Sequence, residues 1–217
     1  SADVEPERED LADGRHARDD DTTLPGPTGS EWGTLAAWAW GLKRCVDCLS
    51  VAGRVRDDGV AVAGKSRRGK AALLAGATDE RIDAVVPFMS GTGGCALARG
   101  NRQETITRVT RAFPHWFADL FHAFGDRPDR MPVDQHLLIA MVAPRPVLGV
   151  EGARDYFANP GLALDSLRAA DPVYELLGVD GAVGETMVRD PEAVDDGGRL
   201  RQYRAETDHT VTPDCWT

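Results

Sequence analysis

The stretch from residue 60 to residue 77 constrains this chain most. Val60-Ala61-Val62-Ala63 is an apolar run without alternation, the pattern of a strand buried on both faces and hence of a parallel sheet. Gly64-Lys65-Ser66-Arg67-Arg68-Gly69-Lys70 follows directly, and Gly69 to Ala77 reads as a strong helix. A strand that becomes a helix in so few residues needs small side chains or unusual φ/ψ at the turn. Such a turn presents Ser66 at the carboxyl end of the sheet, where the helix amino terminus favours negative charge. This is the setting of a nucleophile elbow. The second glycine stands three residues after Ser66 rather than two, so the G-x-S-x-G pattern is not strictly met. A phosphate-binding loop is the competing reading; against it, one glycine precedes the serine and no Gly-Lys-Ser/Thr ending follows.

The remaining pattern extends this strand and helix into an α/β chain. Leu35, Trp38, Leu42, Cys45 and Leu49 recur at spacings of three and four, predicting a helix from about Glu31 to Ser50. Thr28-Gly29-Ser30-Glu31 fits a capping box at its start. Further strands are expected at Ile82–Met89, Val147–Val150 and Leu200–Arg204. Helices are expected near Trp116–Phe124, Val133–Val142 and Leu162–Ala170, with another beginning at Pro172–Leu177. Strands alternating with helices argue for a mostly parallel sheet flanked by helices. Residues 1–30 carry nine acidic and three basic residues with no sustained apolar period, so residues 1–28 read as an acidic, flexible arm and 29–217 as the folded part.

Charge and cysteine usage exclude several functions. A net charge of -10 argues against a nucleic acid or an anionic membrane surface as partner, since both demand a basic footprint. No apolar run approaches the roughly 20 residues of a membrane-spanning helix, and no signal peptide is visible in this sequence. The basic residues are almost all arginine, the lysines being Lys43, Lys65 and Lys70; an acid-rich, lysine-poor chain fits a salt-adapted source or a GC-rich genome equally well. Four cysteines are too few for a disulfide scaffold. Cys45 and Cys48 form a C-x-x-C inside a helical pattern, and are expected as small buried hydrophobes on one helix face.

A serine becomes a nucleophile only beside a base that is itself oriented by a carboxylate. With an elbow serine, the chain order is Ser, then Asp or Glu, then His. His16 precedes Ser66, while His115, His122 and His136 sit in helical stretches; His209 alone follows the last strand in a polar loop. Asp155 follows the strand at Val147–Val150 through a short loop, with Asp126, Asp129 and Asp134 as competitors. The cluster of His115, Asp119, His122 and His136 lacks metal-ligand spacing, so no metal and no cofactor is expected.

Gly64-Lys65-Ser66-Arg67-Arg68-Gly69-Lys70-Ala71-Ala72-Leu73 resembles the G-x-S-R-x-G-K signature of glucuronoyl esterases, carbohydrate esterase family fifteen. Further matches follow in the family's order: Glu31-Trp32-Gly33, Ala37-Trp38-Ala39-Trp40-Gly41-Leu42, Ser90-Gly91-Thr92-Gly93-Gly94 and Phe113-Pro114-His115-Trp116-Phe117. They continue with Pro132-Val133-Asp134-Gln135-His136, Ala143-Pro144-Arg145-Pro146, Asp155-Tyr156-Phe157-Ala158-Asn159-Pro160 and the segment from His209 to Trp216. The resemblance implies a partial α/β-hydrolase fold, the C-terminal part of the domain, because members carry more strands before Glu31-Trp32-Gly33. It implies hydrolysis of 4-O-methyl-glucuronate esters of the glucuronoxylan–lignin type. Ser66 would be the nucleophile, His209 the base and Arg67 the oxyanion cation. Asp155 would be the acid, since the other position that members use is occupied here by Met89. Lys70 and Glu104 would contact the sugar, as would Phe157, which stands where a tryptophan is usual. Enzymes of this family are commonly secreted or periplasmic. The alternatives are an acetylxylan or other carbohydrate acyl esterase, and a truncated remnant without activity.

Overall fold

The computed structural model describes residues 32–53, 59–181 and 198–215. The acidic arm, the capping box at Thr28–Glu31, His16 and Trp216 lie outside the described residues. Four strands, β1 (Ala61–Lys65), β2 (Ala84–Phe88), β3 (Val147–Gly152) and β4 (Leu200–Ala205), form one all-parallel sheet in the order β1-β2-β3-β4. The crossovers contain α2 (Arg67–Thr78), then α3 (Ile106–Ala112), α4 (Asp119–His122) and α5 (Gln135–Ala140), then α6 (Pro160–Leu176). Helix α1 (Thr34–Val51) precedes β1 and packs on α2. The main core lies under α2, α5 and α6, where Leu73, Val85, Ile139, Val147, Leu167, Tyr174 and Leu200 are fully buried.

Several expectations are corrected. Strand β1 is not buried on both faces: it lies at the sheet edge, with Val62 buried and Ala61 and Ala63 exposed. Cys45 and Cys48 are exposed free thiols, because the inward stripe of α1 runs through Leu35, Ala39, Leu42 and Val46 and leaves the C-x-x-C outside it. The helical stretch expected at Trp116–Phe124 reduces to the single turn α4, and α3 was not anticipated. Pro172 does not separate two helices; it lies inside α6. Tyr174, fully buried with its hydroxyl donating to the Arg145 carbonyl at 2.9 Å, ties the turn after Pro172 to the core. That tertiary packing outweighs the roughly 3 kcal/mol penalty of an internal proline.

The second face of the sheet carries a smaller apolar cluster, Phe88, Met89, Val150, Ala205 and Cys215. Among the described residues β1 has no outer strand partner. An open edge beside exposed Ala61 and Ala63 favours strand pairing with another chain. These 217 residues, expressed alone, are therefore expected to elute in size-exclusion chromatography larger than a monomer and to unfold without sharp cooperativity. A sharp, cooperative monomer would contradict this.

Candidate active site

Ser66 sits between β1 and α2 with φ 55° and ψ -125°, a conformation an L-residue adopts only where its surroundings enforce it. Its N–H donates to the Phe88 carbonyl at 2.8 Å, and its carbonyl accepts from the N–H groups of Gly69 and Lys70 at 2.9 and 3.1 Å. The two glycines bring α2 close onto β1. A Cβ on Gly64 would lie 2.4 Å from the Arg68 carbonyl oxygen, and one on Gly69 2.7 Å from that of Gly64. Gly69, three residues past the serine, thus supplies the close helix–strand approach that the elbow requires.

Strand register delivers the other two groups. Parallel pairing of Gly152 with Ala205 brings the loops after β3 and β4 out side by side. Asp155 is three residues beyond one strand end and His209 four beyond the other. His209 Nδ1 lies 2.5 Å from Asp155 Oδ2, and Oδ1 of the same carboxylate accepts from the Ala158 N–H at 3.1 Å. Burial pushes the Asp155 carboxyl up, but the hydrogen bonds from His209 and Ala158 outweigh it and hold the group below the ordinary carboxylate range. Asp134 instead caps α5, accepting from the N–H groups of Gln135, Ala98 and Arg99. Asp126 accepts from Thr107 at the surface.

Ser66, Arg67, Glu104, Asp155, Phe157 and His209 line one cleft of about 550 Å³, together with Met89, Phe113 and Trp116. Lys70 does not line this cleft; it borders a neighbouring apolar cavity of about 570 Å³. Its ammonium donates to the carbonyls of Ser90 and Thr92 at 2.6 and 2.7 Å and lies 3.3 Å from Glu104 Oε1. Glu104 Oε2 also accepts from the Thr92 N–H at 2.6 Å. The buried Lys70–Glu104 pair therefore fastens the Ser90–Gly94 loop to the floor of the site. Burial lowers the Lys70 pKa, with Glu104 opposing the shift. Phe157 is half exposed at the rim.

Strand β3 runs two residues past the expected end and carries Glu151 inward, where it is fully buried. Neither carboxyl oxygen has a hydrogen-bond partner among the described residues. Burial, reinforced by Asp155, pushes this carboxyl well above its ordinary range against the pull of Arg204 and Lys70. A carboxyl whose folded pKa is raised supports the fold fully below the ordinary carboxylate pKa and loses that support as pH rises toward the folded value. Glu151→Gln, neutral throughout, is accordingly expected to raise the apparent midpoint of thermal unfolding at pH 8. At pH 4 the two proteins should melt nearly together. Thermal unfolding at both pH values checks this, and an equal shift at both would contradict it.

The model of the family described as glucuronyl esterase, fungi, matches residues 27–178. The chain belongs to the glucuronoyl esterase family. It is 43% identical over 155 residues to carbohydrate esterase MZ0003 from an unknown prokaryotic organism, a match covering 71% of this chain and 36% of that protein. To 4-O-methyl-glucuronoyl methylesterase 1 of Wolfiporia cocos it is 35% identical over 154 residues, covering 67% and 38%. A promiscuous CE15 esterase from a marine bacterial metagenome superposes with a TM-score of 0.81 at 37% identity, over 93% of this chain and half of that one. The chain thus spans less than two-fifths of those curated relatives and carries the family's α/β-hydrolase fold in part.

In this glucuronoyl esterase family member Trp116 lines both the serine cleft and the apolar cavity, and Glu151 is fully buried. The aromatic run Phe113-Pro114-His115-Trp116-Phe117 is itself a signal for Trp116 in so aromatic-poor a chain. Nothing in the sequence marked Glu151, which looks like an ordinary acid just beyond a strand.

Proposed function

We propose that this glucuronoyl esterase family chain hydrolyses carboxylic esters of 4-O-methyl-glucuronate, as in glucuronoxylan–lignin linkages, by acyl transfer through Ser66. The observation that carries the reading is the 2.5 Å His209–Asp155 contact in the cleft that Ser66 lines. Ser66 Oγ attacks the ester carbonyl while His209 Nε2 takes its proton. Asp155 accepts from Nδ1–H, holding the ring in that tautomer and stabilising the imidazolium. Arg67 places a cation beside the developing alkoxide, a contribution of about 3–4 kcal/mol for a well-placed oxyanion donor. His209 then gives its proton to the departing alcohol, and a water activated by the same ring releases the acid.

The sugar would lie between Glu104 and Phe157, which line the same cleft. Phe157 offers an apolar face without the N–H of an indole. Lys70 contacts sugar hydroxyls only by exchanging one of its present acceptors, Ser90, Thr92 or Glu104. The name of the Wolfiporia cocos relative supports the glucuronate ester. The word promiscuous, applied to the marine esterase, favours a second reading in which acetyl or other acyl groups on carbohydrate are also removed. Initial rates on methyl 4-O-methyl-glucuronate and on acetylated xylan test the choice. A kcat/KM at least about tenfold higher on the glucuronate ester supports the first reading, and the reverse order supports the second.

A further inference from the structure

Arg67 opens α2, and its guanidinium carbon lies 5.8 Å from the ring centroid of Trp38 and 5.9 Å from that of Trp116. Trp38 comes from α1 and Trp116 from the turn after α3, so the two rings reach the cation from separate elements. These elements are bonded to each other: the N–H of Thr34 donates to the His115 carbonyl at 2.9 Å, and that of Leu35 to the Trp116 carbonyl at 3.2 Å. Phe113 stacks on Trp116 with centroids 3.8 Å apart and planes 3° from parallel. Leu35 and Val109 pack around the pair. The rings therefore occupy fixed positions on a rigid support.

An aromatic face attracts the cation through its quadrupole rather than through its N–H donors. Two faces from two elements also restrict the side chain's rotation, which is how a flexible cation is prepared for a transition state. Trp116 borders both the serine cleft and the apolar cavity, so its effects would mix with substrate contact; Trp38 borders neither.

We propose that Trp38, with Trp116, is a positioning residue that braces Arg67 toward the oxyanion formed at Ser66. This rests on the reading of Arg67 as the oxyanion cation given above. The test is a double-mutant cycle on the whole chain, with kcat and KM measured on a methyl glucuronate ester and on an aryl acetate. Trp38→Leu is expected to lower kcat about tenfold on both substrates with KM within about twofold, and Trp38→Phe to restore it to within about threefold. In the Arg67→Ala background, Trp38→Leu should change kcat by less than about twofold, because the group it positions is gone. An equal loss in both backgrounds means that Trp38 acts through packing alone and overturns the proposal. So does an unaltered kcat in Trp38→Leu, or a Trp38→Phe protein no better than Trp38→Leu. If Arg67→Ala itself leaves kcat unchanged, the oxyanion reading has failed and the brace falls with it.

Discussion

Asp155→Asn is expected to lower kcat by about 10³–10⁴-fold on any ester the chain accepts, with little change in KM. The amide keeps the shape of the carboxylate but cannot accept from His209 Nδ1–H in the same way, so the ring loses its tautomer and the imidazolium its counter-charge. Ser66→Ala and His209→Ala should each remove still more, about 10⁵–10⁶-fold, by deleting the nucleophile or its base. Steady-state kinetics on the purified variants measures all three. An Asp155→Asn enzyme within about threefold of the parent, a change below about 1 kcal/mol, would show that Asp155 is not the acid. The same substitution has a signature in stability. Because Asp155 is held below the ordinary carboxylate range, its contribution to the fold is complete above that range and is lost as pH falls through the lower folded value. Acid unfolding of Asp155→Asn should therefore be flatter than that of the parent below about pH 4.

Arg67→Ala should lower kcat by about 10²–10³-fold on glucuronate esters and aryl acetates alike, since the tetrahedral oxyanion forms with either. Lys70→Ala separates from it by substrate. Its loss should raise KM for the glucuronate ester more than for an aryl acetate, because only the sugar has hydroxyls that could engage the ammonium. The ammonium also holds the Ser90 and Thr92 carbonyls, so a smaller loss of kcat common to both substrates should accompany the KM effect. Equal KM changes on the two substrates would restrict Lys70 to fastening the loop.

The features that sequence reasoning reached are those set by local pattern. Short apolar runs marked β1, β2 and β3, while β4, which reads Leu200-Arg201-Gln202-Tyr203-Arg204, was placed by its position before Asp208-His209; the glycine-flanked serine marked the sharpest turn. Asp155 and His209 were legible as an order along the chain, each just past a strand, and their 2.5 Å contact follows from the β3–β4 register. What was not legible depends on contacts distant in sequence. Cys45 and Cys48 share a helical period with Leu42, yet the side of α1 that faces α2 is chosen by packing. Pro172 is a helix breaker by local rules and is overruled by the buried Tyr174. The acceptors of Lys70 lie 20 to 34 residues away, and Trp38 meets Arg67 only because α1 packs beside α2.

Whether Ser66 is an activated nucleophile can be read with a serine-directed fluorophosphonate probe followed by peptide mass spectrometry. One covalent adduct is expected, on Ser66; it should form rapidly in the parent, be absent in Ser66→Ala and form far more slowly in His209→Ala. A folded parent protein that the probe leaves unlabelled, or labels equally in Ser66→Ala, would contradict an activated Ser66.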